Sequence, residues 1–194
     1  PQIQNGNILQ IYEKHYNNLY DKKLINTLYQ ILTDPIIANR EFLIGILYFE
    51  GKYVQTNITK MIHYMNLASN KNHLKAQIYL GDLFYEDKYI KKDIKKSIQY
   101  YTLAANQNNT GSQFNLGIIY QNEVFDINKA IYYYTLAADR NYVEAQYNLA
   151  IIYYDDVFIP RNINKAIHYF TLSAKQNWLE SIFYLGVIYY ENLY

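Results

Sequence analysis

From about Asn39 onward, apolar residues fall at helical spacing in short blocks, each closed by Asn and reopened by Asn or Asp. One small-residue position recurs at Gly45, Gly81, Gly117, Ala150 and Gly186, in steps of 36, 36, 33 and 36 residues. The pairs Ala68-Ser69, Ala104-Ala105, Ala137-Ala138 and Ser173-Ala174 keep the same steps. So do Asn57, Asp93, Asp126 and Asn162, each followed by Ile and then, after one variable residue, by Lys60, Lys96, Lys129 or Lys165. The 33-residue step reflects a shorter loop after Tyr120. A period in the mid-thirties predicts a helical repeat array.

Each unit then reads as two helices. Helix A is predicted over 39–49, 73–86, 109–121, 142–154 and 178–190, and helix B over 58–71, 94–107, 127–140 and 163–176. The Asn/Asp series opens helix B as an N-cap, its side-chain oxygen accepting from an orphan N–H. Asn72, Asn108, Asn141 and Asn177 end helix B, where a residue tolerant of the left-handed region is needed. Gly inside a helix costs roughly 1 kcal/mol against Ala, so its recurrence in helix A points to a close helix crossing. Tyr64, Tyr100, Tyr133 and Tyr169 place a ring beside that crossing, and Leu80, Leu116, Leu149 and Leu185 fill the core.

The array divides as 39–72, 73–108, 109–141, 142–177 and a half repeat at 178–194. Residues 1–38 read as a helical N-terminal cap or degenerate repeat, with helices over Asn7–Tyr20 and Asp21–Thr33 stopped at Asp34-Pro35. The helix beginning near Trp178 leaves Tyr189 and Tyr190 on an apolar face with no helix B after it in the sequence, so either the chain continues or an end-to-end or C-terminal contact covers it.

The blocks LKAQIYLGDLFYED and DIKKSIQYYTLAANQN (74–87 and 93–108), with VEAQYNLAIIYYDD and NINKAIHYFTLSAKQN (143–156 and 162–177), resemble the Sel-one-like repeat, a relative of the tetratricopeptide repeat. Helix A carries Ala-x-x-x-Leu-Gly/Ala-x-x-Tyr/Phe. Helix B carries Asp/Asn-x-x-Lys-Ala/Ser-x-x-Tyr-Tyr/Phe-x-x-Ala-Ala. The chain departs from the family pattern where Asn replaces the Gly after the Ala pair, where only Gly51 marks the A–B loop, and where Leu67, Leu103, Leu136 and Leu172 replace Lys. The resemblance implies an all-α fold: a right-handed solenoid of antiparallel helix pairs, about 36 residues each. It implies a non-enzymatic scaffold or adaptor that binds a protein segment along helix A.

Groove-facing positions carried over from that resemblance fall on Phe42, Ile78, Phe114, Tyr147 and Phe183. One turn on come Ile46, Asp82, Ile118, Ile151 and Val187, then Phe49, Tyr85, Gln121, Tyr154 and Tyr190. Chaperone-binding relatives clamp a C-terminal carboxylate with Lys and Asn at the first two series, which here are apolar except for Asp82. An apolar protein segment fits this strip better. The same positions also suit inter-repeat packing.

Composition narrows the chemistry. The 194 residues carry a formal net charge of +1, which gives no global attraction to nucleic acid. One basic cluster exists, Lys88, Lys91, Lys92, Lys95 and Lys96, and reads as a solvated face. The absence of Cys removes disulfides, thiolate metal sites and a Cys nucleophile. With no visible signal peptide, it favours an intracellular, cytoplasmic setting. No stretch reads as a membrane span. Tyrosine accounts for 25 residues and travels with abundant Asn, Ile and Lys, the usage of an AT-rich genome. His63 and His168 stand three repeats apart, roughly 25–30 Å at helix-packing distances, so they share no metal. Glu86-Asp87 and Asp155-Asp156 read as solvated loops, and phosphate-loop, dinucleotide and zinc-protease motifs are absent. No catalytic residue, metal or cofactor is therefore expected. Two other readings stay open: a structural subunit of a larger assembly, and a glycan-binding module that uses exposed tyrosines.

Overall fold

The computed structural model describes residues 39–51, 54–155 and 157–191. The predicted helices over residues 7–33 lie outside them. The described residues form α1 (Arg40–Glu50), α2 (Ile58–Asn70), α3 (Leu74–Tyr85), α4 (Ile94–Asn106), α5 (Thr110–Asn122), α6 (Ile127–Ala138), α7 (Val143–Tyr154), α8 (Ile163–Ala174) and α9 (Leu179–Tyr190). No strand occurs among them. Helix ends fall within two residues of those read from the hydrophobic pattern. The described residues fall into two compact units, divided between Leu80 and Gly81 inside α3.

Capping chemistry sets the boundaries. The carboxylate or amide oxygens of Asn57, Asp93, Asp126 and Asn162 accept from the N–H groups of Lys60, Lys96, Lys129 and Lys165 at 2.9, 3.0, 3.1 and 3.0 Å. At the other end of each helix B, Asn72, Asn108, Asn141 and Asn177 adopt φ of 59, 63, 60 and 63°. This left-handed residue lets the next N–H turn back to the helix: His73 donates to the Ala68 carbonyl, Asn109 to Ala104, Tyr142 to Ala137 and Trp178 to Ser173. The chain enters the following helix A directly.

Within the first unit, Glu41 of α1 meets Lys71 just after α2, Gly45 meets Met65, and the Tyr48 carbonyl accepts from Asn57. Early residues of one helix oppose late residues of the other, so the pair is antiparallel. The second unit repeats the pattern: Gly81 faces Tyr101 and the Phe84 carbonyl accepts from Asp93, then Gly117 faces Tyr134 and the Tyr120 carbonyl accepts from Asp126.

Which ring fills the close crossing differs from the sequence expectation. Met65, Tyr101 and Tyr134 lie over Gly45, Gly81 and Gly117; a Cβ built on the last two would come within 2.7 and 2.4 Å of the tyrosine rings. The residues one position earlier do something else. Tyr64, Tyr100, Tyr133 and Tyr169 stack on Tyr48, Phe84, Tyr120 and Tyr153 of helix A, with centroids 5.8, 5.7, 5.5 and 6.0 Å apart. Lys60, Lys96, Lys129 and Lys165 place their ammonium groups over those same helix A rings at 5.1, 4.9, 5.1 and 4.7 Å. Each A–B pair is thus held by one clasp: a helix A ring between a tyrosine and a lysine of helix B.

A second recurring contact joins the first three B helices, α2, α4 and α6, to the helix A that follows each. Gln77, Gln113 and Gln146 are buried and donate through Nε2 to the carbonyls of Ser69, Ala105 and Ala138 at 3.3, 3.3 and 3.2 Å. These glutamines hold the same 36- and 33-residue steps as the small residues, the signal that would have revealed them.

Candidate functional site

Helix A contributes the candidate surface because helix B buries its other side. In the first unit, Phe42 stacks on His73 at 4.4 Å and meets the edge of Tyr79, which also takes the edge of Phe49. Ile46 and Ile78 are half-buried. His73 caps α3: its Nδ1 accepts from the Ala76 N–H at 3.1 Å, and burial lowers its pKa, helped by Lys75.

In the second unit the strip runs through Asp82, Tyr85, Phe114, Ile118, Gln121, Tyr147, Ile151 and Tyr154, all half-buried, and on to Phe183, Val187 and Tyr190 of α9. Phe114 packs on Tyr134 and Tyr142 at 5.8 and 5.0 Å. Tyr147 packs on Phe170, Trp178 and Tyr184, and Tyr154 on Phe170 and Tyr184. These rings support the repeat interior while showing part of their surface. Phe183 and Tyr190 are far more open, at 68% and 89%.

Two polar stations interrupt the apolar strip. Tyr101 and Tyr134 pass beneath Gly81 and Gly117, so their hydroxyls reach the helix A face. The Tyr101 hydroxyl donates to Asp82 Oδ1 at 2.5 Å and is also hydrogen-bonded by Asn115. The Tyr134 hydroxyl donates to Gln121 Oε1 at 2.9 Å and is also hydrogen-bonded by Asn148. Burial pushes the Asp82 carboxyl above its usual range, against the opposing Tyr101 bond. Burial also raises both phenols, Tyr134 to about 12. Both tyrosines therefore stay protonated donors at neutral pH, and Asp82 keeps further acceptor capacity toward a guest. Sequence reasoning placed Asp82 and Gln121 on this face but missed the tyrosines that orient them.

The basic cluster is partly satisfied internally. Lys92 pairs with Glu123 at 2.6 Å and lies over Tyr85, while Lys96 pairs with Asp93 at 3.6 Å. His63 and His168 are exposed. Among the described residues no group of three or more His, Cys, Asp or Glu side chains is placed to hold a metal ion. No described helix is long and apolar enough to cross a membrane.

The family model of the Sel1 repeat matches residues 41–73, 74–109, 110–142 and 143–178. The chain belongs to the Sel1 repeat family. Among solved structures it is similar to a protective antigen of uropathogenic Escherichia coli strains displaying an SLR fold, at 25% identity and a TM-score of 0.65, over 78% of this chain and 33% of that one. It is also similar to a Sel1 repeat protein from Oxalobacter formigenes, at 28% identity and a TM-score of 0.60, over 79% of this chain and 62% of that one. The chain thus spans less than two thirds of either protein. No curated protein sequence matches it. Its fold class is that of these neighbours, an all-α solenoid of roughly 36-residue helix pairs. Sel1 repeats are in general non-enzymatic protein–protein interaction modules.

Proposed function

We propose that the helix A face of residues 81–191 binds an apolar segment of a protein partner, which places a hydrogen-bond donor against Asp82. The observation that carries this reading is the pairing of a half-buried aromatic and aliphatic strip with two oriented polar stations, Asp82 with Tyr101 and Gln121 with Tyr134. Apolar surface supplies affinity, and a few placed polar groups fix register. Aromatic anchors dominate such interfaces. The first two groove series hold one charged side chain, Asp82, whose sign suits a donor and opposes a guest carboxylate.

The test uses a peptide array probed with the chain. Bound sequences should be rich in aromatic and aliphatic residues. The double variant Ile118→Lys, Ile151→Lys should lose them, since both side chains stand on the strip and a lysine stem can still lie along it. Phe125→Ser, on an A–B loop, should bind as the native chain does. Equal binding by the double variant would overturn the reading. Phe114 and Tyr147 are less suitable probes because both rings also pack between helices.

A further inference from the structure

One register of helix A breaks its own pattern. Ile46, Ile118, Ile151 and Val187 hold it in α1, α5, α7 and α9, and Asp82 holds it in α3. Asp82 is half-buried. Burial opposes its charge, and so does Glu86, a carboxylate of like sign one turn on. Within the chain its compensation is the hydrogen bond that Tyr101 donates to Oδ1. Among the described residues no ion pair includes Asp82 and no hydrogen bond reaches its Oδ2. The lysines that follow are engaged elsewhere: Lys92 with Glu123 and over Tyr85, Lys96 with Asp93 and over Phe84. A carboxylate drawn out of water is costly until a cation or further donors pair with it. The next polar station, Gln121 with Tyr134 and Asn148, repeats the arrangement of Asp82 with Tyr101 and Asn115, but with a neutral amide in place of the carboxylate. The strip of the second unit is therefore charged at its first station and neutral at its second.

We propose that the protein segment bound along this strip is extended and carries an arginine, whose guanidinium closes on Asp82 while apolar residues farther along it cover Ile118 and Ile151. This inference rests on the binding reading given above and deepens it by naming the charged group of the partner. Arginine fits better than lysine. Its guanidinium is planar and weakly hydrated and holds five donors in a fork, whereas an ammonium is a strongly hydrated point charge. Residues four apart on a helix stand about 5–6 Å apart at Cβ, so one guanidinium can donate both to Oδ2 of Asp82 and to the exposed Glu86. The Tyr101 hydroxyl holds the other oxygen of Asp82, so the carboxylate is oriented before the guest arrives. Asp82, Ile118 and Ile151 mark one register in successive repeats. Packed helices stand about 8–10 Å apart, and an extended chain rises about 3.3 Å per residue. The guest's anchors therefore fall about three residues apart: an arginine, then apolar residues about three and six positions from it.

The probe is a phage-displayed library of random twelve-residue peptides, selected on the full chain. Enriched peptides are then synthesised with a fluorescein label and titrated by anisotropy. They should share an arginine with apolar residues at that spacing. Asp82→Asn keeps an oxygen for the Tyr101 hydroxyl and removes the charge, and should weaken binding about tenfold or more. Citrulline in place of the peptide's arginine should cost the native chain as much, and the Asp82→Asn variant nothing further. Thermal melting should show Asp82→Asn at least as stable as the native chain, which separates lost recognition from lost fold. Enriched peptides without arginine, or an arginine peptide held equally by the native chain and Asp82→Asn, would overturn this inference. If the double variant Ile118→Lys, Ile151→Lys still lost those peptides, the apolar-strip reading would stand without it. A library that yields no binder, or peptides held equally by that double variant, would overturn both.

Discussion

Glycine has opposite consequences in two repeats of this chain. At Gly117 an added Cβ would fall 2.4 Å from the Tyr134 ring, and that ring is pinned by its hydroxyl bond to Gln121. Gly117→Ala should therefore destabilise the protein by about 1–3 kcal/mol, the usual cost of overpacking. Gly186 meets nothing described, so Gly186→Ala should stabilise it by up to about 1 kcal/mol through helix propensity. Urea titrations of the two variants beside the native chain measure both signs. His73 supplies a second test at this scale. Burial, helped by Lys75, lowers its pKa below the ordinary value, and its neutral Nδ1 caps α3. The unfolded state then takes up a proton before the folded state does. The contribution of His73 is fully present above about pH 6.5 and is lost as pH falls below it. His73→Asn keeps a capping oxygen without a titrating ring, so it should flatten the loss of thermal stability between pH 7.5 and 5.5. The left-handed asparagines and the N-caps were legible in the sequence because each acts on backbone within a few residues. The partners of Tyr100 and Tyr101 were not. Adjacent helical residues point about 100° apart, and only the packed neighbour decides which ring enters the notch and which one stacks.

At the scale of elements, the joints between helices differ in how well their polar atoms are satisfied. Gln146 donates to the Ala138 carbonyl and accepts from Gln176 at 2.8 Å. Gln113 makes the first of these bonds, while its Oε1 is buried without a hydrogen-bond partner. Gln146→Leu removes both of its bonds while the Ala138 carbonyl keeps the Asn141 N–H, and should cost about 1–2 kcal/mol; Gln113→Leu removes one bond along with an unpaired oxygen and should cost less. Chemical denaturation of the two variants gives the ordering. A periodic glutamine on the buried side of helix A was visible in the sequence. Its role was not, because polar residues in a helical pattern ordinarily mark the solvent face. The helix order and the length of each loop, by contrast, followed from cap and terminator spacing alone.

For the whole molecule, the repeat period pointed to a helical array and the helix A and helix B motifs carried the resemblance to the family, which the Sel1 match and the solved relatives confirm. What the partner looks like was less legible. The positions proposed to face a guest also pack between repeats, as Phe114 and Tyr147 do, and one-dimensional pattern does not separate the two roles. The three-dimensional arrangement adds the oriented Asp82 and Gln121 stations and divides the strip into supporting rings and open ones. The central claim is that helix A, and not helix B, meets the partner segment. Hydrogen exchange with a saturating apolar peptide selected from the array tests it most directly. Protection should rise in residues 110–122 and 143–154 and stay unchanged in 127–138 and 163–174. Protection confined to the helix B segments or to the A–B loops would contradict the account.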